Sequence, residues 1–210
     1  MKDKLNFYIN GQWVESDSNE RIEIINPANE ELIGHVTSGT KEDINKAVLA
    51  ASDAFQTYQF SSKEDRIEIL KNIITEYENR YDDLVQVITE EMGAPTWLSQ
   101  KAQASTGIKN LHETLDALKE YEFEKKEGDY TLIREPIGVI GMITPWNWPM
   151  NQITTKASAA LAAGCSMVLK PSEISPYCAL LLAEIFDKAG VPAGVFNVVN
   201  GYGPIVGAAL

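Results

Sequence analysis

Beyond Pro136, short apolar runs alternate with segments of helical period, and few folds accept that pattern. Residues 138–144 (GVIGMIT), 166–170 (SMVLK) and 195–200 (VFNVVN) are apolar with little alternation, the texture of strands buried on both faces. Between them, residues 150–164 and 176–189 read as helices closed by Gly164 and Gly190, since glycine best accepts the left-handed turn at a helix end. Residues 201–204 (GYGP) then open a further helix. Strand–helix–strand–helix–strand of this kind predicts a parallel, doubly wound α/β sheet over residues 136–210.

The sequence ahead of Pro136 has a different texture. Asn10-Gly11 between apolar segments signals a hairpin. Residues 21–27 and 31–39 read as strands turned at Asn26-Pro27. Thr40, with Glu42 and Asp43 behind it, caps a helix whose apolar face is Ile44, Val48, Ala51 and Phe55. One long helix is predicted over residues 62–92, striped by Ile67, Leu70, Ile74, Tyr77, Tyr81, Leu84 and Ile88 and stopped by Gly93 and Pro95. Another follows over 96–118. The charged residues 120–129 read as an exposed connection into a strand at 130–134.

Charge narrows the classes of partner. With 18 basic against 30 acidic residues the formal net charge is −12, a surface that repels phosphate backbones and anionic lipid. Neither nucleic acid nor membrane is expected as a partner. No apolar run approaches the ~20 residues that span a bilayer, and the N-terminus lacks an apolar signal core. Cys165 and Cys178 form no CxxC pair and no metal-ligand cluster with His35 and His112, so no metal site is expected and a reducing, cytoplasmic location fits. Both cysteines read as small buried hydrophobes, both histidines as structural or surface residues, and Glu90-Glu91 as solvated charge at a helix end.

Three loops leave the predicted strands at the carboxyl edge of the sheet, where such folds bind ligands. In PWNWP (145–149), prolines and tryptophans stiffen a loop whose Asn147 amide can donate to a developing oxyanion, although a rigid structural turn reads equally well. In KPSE (170–173), Lys170 and Glu173 suit a ribose, or stand as solvated charges. GYGPIVG (201–207) has one residue too many for the dinucleotide fingerprint. Its glycines and helix start still admit a ligand, or simply cap a strand exit.

Residues 138–210, with PWN and KPSE at this separation, closely resemble the NAD(P)-dependent aldehyde dehydrogenase family. FYINGQWVES, IINPANEELIGHV and TEEMGAPTWLSQKAQ resemble its N-terminal segments in the same order, so the resemblance covers essentially the whole chain. It implies a Rossmann-like cofactor domain over 136–210, preceded by an N-terminal hairpin, strands and helices, with residues 120–135 starting an oligomerisation hairpin. It implies oxidation of an aldehyde to a carboxylic acid through a cysteine thiohemiacetal, with NAD as cofactor and NADP as the alternative, in a homodimer or homotetramer. Asn147 matches the oxyanion donor. Ile143, Thr144, Pro145 and Trp146 match the cofactor cleft, Lys170 and Glu173 the adenosine ribose site, and Gly203 and Pro204 the adenine side. Lys156 matches a lysine supporting the asparagine loop. Family members are longer, and neither Cys165 nor Cys178 matches their nucleophile. The nucleophile and general base are therefore expected downstream, with an inactive, weakly nucleotide-binding fragment as the alternative.

Overall fold

Asn10 and Gly11 take positive φ, 54° and 73°, and so close a two-residue hairpin between β1 (Phe7–Ile9) and β2 (Gln12–Val14). The computed structural model describes residues 3–210. In it, this hairpin belongs to the α/β sheet. β1 runs antiparallel to β9 (Phe196–Val198), which pairs in parallel with β8 (Ser166–Lys170), itself parallel to β7 (Val139–Ile143). The order is β2-β1-β9-β8-β7. The edge of β9 is thus covered by the start of the chain.

All five residues of β8 are buried. Met167 and Leu169 face α6 (Pro149–Ala163) and α7 (Tyr177–Lys188), the two crossover helices, while Val168 packs with Ile44, Ala47 and Ala51 of α1 (Lys41–Tyr58) on the other face. Helices on both faces of a parallel core make the doubly wound, Rossmann-like arrangement that the sequence predicts. α1 begins at Thr40, whose side chain and that of Asp43 cap each other's backbone N–H. β3 (Arg21–Asn26) and β4 (Glu31–Thr37) form a separate antiparallel pair.

The helical layer departs from the prediction in three places. The expected single helix over 62–92 is two, α2 (Lys63–Asn79) and α3 (Tyr81–Met92), because Arg80 leaves helical geometry at φ −107°, ψ 15° and is held by Asp83 and by Glu184 of α7. The apolar stripe continues through both helices because both bury against the same core. The helix expected over 96–118 is α4 (Thr96–Leu98), a π-helical turn (Ser99–Ala104) and α5 (Ser105–Glu120). The expected connection at 120–129 contains β5 (Glu124–Glu127), paired with β6 (Tyr130–Ile133) around Gly128 at φ 64°. β6 falls on the strand expected at 130–134, whereas β5 is charged and mostly exposed, so no apolar alternation marked it.

Glu91 overturns the reading of solvated charge. It is fully buried, and its carboxylate accepts the backbone N–H of Tyr177 at 2.7 Å and of Cys178 at 3.0 Å, capping the first turn of α7 from outside that helix. Burial pushes its carboxyl up to about 7, against the opposing pull of the Cys178 thiol and of the two amides. A carboxyl raised in the folded state contributes stability that is fully present below its ordinary value of 4.5 and is lost as pH rises through about 7. Urea unfolding of the wild type and of Glu91→Gln between pH 4 and 8 tests this assignment. The wild type should lose ground to the variant across that window, by on the order of 3 kcal/mol, and parallel pH curves would refute it.

Candidate functional site

The carboxyl ends of β7, β8 and β9 open on one edge, and hydrogen bonds lock the first two loops together. The Thr144 N–H donates to Lys170 O at 3.2 Å, and Ser175 Oγ donates to Trp146 O at 3.3 Å. Thr144 is buried, whereas Ile143, Pro145, Trp146 and Asn147 are exposed. Asn147 stands just ahead of α6, where Trp148 is the N-cap and Pro149 occupies the first turn. No side chain caps this helix start, so its free N–H groups add positive potential beside the Asn147 amide.

Lys170 is 3% exposed, which removes the reading of a solvated lysine. Its ammonium donates to Glu173 Oε2 at 2.7 Å, and a third of the Glu173 side chain faces solvent. Burial is the largest single influence on Glu173 and pushes its carboxyl up, but the Lys170 hydrogen bond, its own backbone N–H and the ammonium charge together bring it below the usual carboxylate range. The pair offers an ionised carboxylate edge, fixed by a buried cation, to hydroxyl donors arriving from solvent.

The third loop is placed differently. Asn200 O accepts the Gly39 N–H at 2.9 Å, so the strand exit leans on the β4–α1 connection. Gly201 has φ 150°, and a Cβ there would meet Val206 Cγ2 at 2.3 Å, so the turn requires glycine. The helix start predicted at GYGP is a π-helical turn (Gly203–Gly207). Gly203 has open space around it, Pro204 is exposed, and Gly207 lies against the Ile143 side chain. Lys156, exposed on α6, donates to Gln152 O at 3.1 Å and to Gln152 Oε1 at 3.0 Å. It has no hydrogen bond to the Asn147 loop among the described residues.

Sequence reasoning missed the residues behind Asn147. Gln103 Nε2 donates to Asn147 O at 3.5 Å. Asn110 Nδ2 reaches Asn151 Oδ1 (3.1 Å), Thr154 Oγ1 (3.0 Å) and Thr155 Oγ1 (2.9 Å), and the Thr114 and Ser158 hydroxyls meet at 2.7 Å. These polar rungs fasten α6 and its leading loop to the π-turn and α5. Polar residues at 103, 110 and 114, seven and four positions apart and so on one helix face, were the available signal, but the π-turn that aims Gln103 has no sequence mark.

Both cysteines are buried, as expected, and burial with the neighbouring Glu91 carboxylate holds the Cys178 thiol well above its usual range. Among the described residues no group of three or more His, Cys, Asp or Glu side chains is placed to hold a metal ion, and no helix is long and apolar enough to cross a membrane.

Comparison with known proteins gives these features a context. Residues 13–210 match the aldehyde dehydrogenase family. A putative aldehyde dehydrogenase of Staphylococcus aureus (strain USA300) is 54% identical over 207 residues, 99% of this chain and 44% of the relative. The crystal structure of an aldehyde dehydrogenase from Bartonella henselae superposes with a TM-score of 0.98 at 44% identity, covering 100% of this chain and 45% of that one. A variant of aldehyde dehydrogenase C from Pseudomonas syringae, solved in complex with NAD+ and octanal, superposes with a TM-score of 0.96 at 44% identity, over 98% of this chain and 42% of that one. The chain therefore spans less than half the length of the relatives it matches. The chain belongs to the aldehyde dehydrogenase family.

Proposed function

We propose that this segment is the cofactor side of a dehydrogenase that oxidises an aldehyde to the carboxylic acid with NAD+. The observation that carries the reading is the exposed Asn147 amide at an uncapped helix start, tied through Thr144 to the buried Lys170 and its partner Glu173. Asn147 Nδ2 is the donor for the oxygen that gains charge when the carbonyl carbon is attacked. A stiff loop of two prolines and two tryptophans holds that donor in place before the reaction, which is what makes such a donor effective.

The Lys170–Glu173 pair fits an adenosine ribose. A carboxylate held by a buried cation keeps its exposed edge free for the 2′- and 3′-hydroxyls, and its charge opposes a 2′-phosphate, so NAD is the cofactor and NADP the poorer alternative. Ile143, Thr144, Pro145 and Trp146 form the wall of the cleft, Gly203 and Pro204 the adenine side, and Lys156 braces the helix behind Asn147 through Gln152. When bound, the nicotinamide supplies the hydride acceptor.

The thiolate nucleophile and the general base come from outside this segment. Cys165 is buried at the far end of β8, and Cys178 is buried with its thiol held protonated beside Glu91. The exposed Tyr130, Leu132 and Ile133 of β6 support a role for the β5–β6 hairpin in assembling a homodimer or homotetramer. The two unpaired cysteines suit a cytoplasmic enzyme.

The purified 210-residue chain is expected to form no NADH from short aldehydes, and sustained turnover by it alone would overturn the assignment of the nucleophile. In the longer enzyme that carries this segment, Asn147→Ala should lower turnover about a hundredfold or more, read as NADH absorbance. Unchanged turnover would remove Asn147 from the chemistry. For Glu173→Gln in the same enzyme, the ratio of kcat/KM with NAD to that with NADP should fall. A ratio equal to the wild type's would show that the carboxylate does not select the cofactor.

A further inference from the structure

Two energetically costly features converge on the backbone of Asn147. The first is the π-helical turn (Ser99–Ala104) that interrupts the helix between α4 and α5. Such a turn departs from the regular α-helical hydrogen-bond pattern, is rare, and recurs at functional sites. Here the Tyr81 hydroxyl donates to Gln100 O, and the buried Tyr77 hydroxyl donates to Ala104 O at 2.9 Å. Gly107 makes room for the second contact, since a Cβ there would stand 2.2 Å from Tyr77 Oη.

The second feature is Gln103 itself. It is 2% exposed, and its Oε1 is buried without a hydrogen-bond partner. Leaving such an acceptor unpaired costs about 1–3 kcal/mol, and an apolar side chain of similar size would avoid that cost. The amide's other end reaches one group, Asn147 O, at 3.5 Å. The opposite orientation of the amide would set two acceptors against each other, so this contact fixes which way it points.

We propose that Gln103 is a positioning residue for Asn147. The π-turn turns the Gln103 amide toward the loop, the amide holds the Asn147 carbonyl, and the Asn147 side chain is left directed outward at the uncapped start of α6. This inference rests on the reading of Asn147 as the oxyanion donor. It assigns a function to an under-satisfied buried amide for which packing alone gives no reason.

The test is Gln103→Leu, because position and stability should respond in opposite senses. In the 210-residue chain, the melting temperature should stay level or rise, since a buried orphan is removed and Asn147 itself is an exposed residue. With 5-fluorotryptophan incorporated, the fluorine resonances of Trp146 and Trp148 should shift or broaden while that of Trp13 stays. In the longer enzyme, kcat should fall about tenfold with KM for the cofactor unchanged, and adding Gln103→Leu to Asn147→Ala should cost nothing more. A lowered melting temperature, unmoved Trp146 and Trp148 resonances, or losses that add in the double variant would overturn the proposal. Should Asn147→Ala cripple the enzyme while Gln103→Leu does not, this inference falls alone. Should Asn147→Ala be harmless, the oxyanion reading falls with it.

Discussion

A strand buried along its whole length needs cover on both faces, and the rest of the molecule is arranged around supplying it for β8. Met167 and Leu169 gain their cover from α6 and α7, which the parallel crossovers place on one side of the sheet. Val168 gains its cover from α1, and Ser166 Oγ donates to Ala51 O at 2.6 Å from 115 residues away in sequence. Each such side chain is worth about 1.5–3 kcal/mol only when water is excluded from its face. The N-terminal hairpin completes the enclosure by pairing β1 with β9, and the Tyr8 hydroxyl secures it to Asp187 of α7 at 2.7 Å. The segments on either side of Pro136 therefore share one core.

That enclosure also explains how a lysine is kept at a strand end. Lys170 finishes β8 on the same face as Val168, where the lysine is left only 3% exposed. An isolated ammonium would not tolerate this environment, and Glu173 three residues on supplies the counter-charge. The bridge contributes little net stability once both desolvation costs are counted. Its consequence is geometric, because one carboxylate is held at a fixed point on the sheet edge, beside the loop that Thr144 ties to the same strand.

The elements legible in the sequence are those fixed by local chemistry. Asn10-Gly11 carries its own turn, Thr40 and Asp43 their own cap, Gly164 its own left-handed stop, and the apolar runs of β7, β8 and β9 their own two-sided burial. The features that escaped are fixed by partners far away. Arg80 breaks α2 from α3 while held by Glu184, and no periodicity registers the break because the stripe from Ile67 to Ile88 stays apolar throughout. Glu91 resembles any helix-end glutamate until the N-terminus of α7 arrives over it. The three loops were legible as a set because parallel strands all end on one edge. The group standing behind Asn147 was not, since a π-turn leaves no trace in composition or spacing.

Glu91 and Gln103 are both buried polar residues in the helical layer, and both reach across to the α/β unit, yet they are satisfied to different degrees. Glu91 meets two backbone amides at 2.7 and 3.0 Å and so replaces the cap that Pro176 cannot provide. Gln103 meets one carbonyl at 3.5 Å and leaves its own oxygen unpaired. A contact selected for stability alone converges on the first condition, because a buried acceptor without a partner is a standing loss. The two residues nevertheless act on neighbouring loops. α7, capped by Glu91, follows directly on the Lys170–Glu173 turn, whose Ser175 holds Trp146 O, and the next residue along that loop is the one that Gln103 grips. The layer ahead of Pro136 thus reaches both site loops from behind, one through a contact that anchors a helix and the other through a contact that sets an angle. With Gln103 in the positioning role proposed for it, Tyr77, Gly107 and the π-turn join the strands in shaping the site.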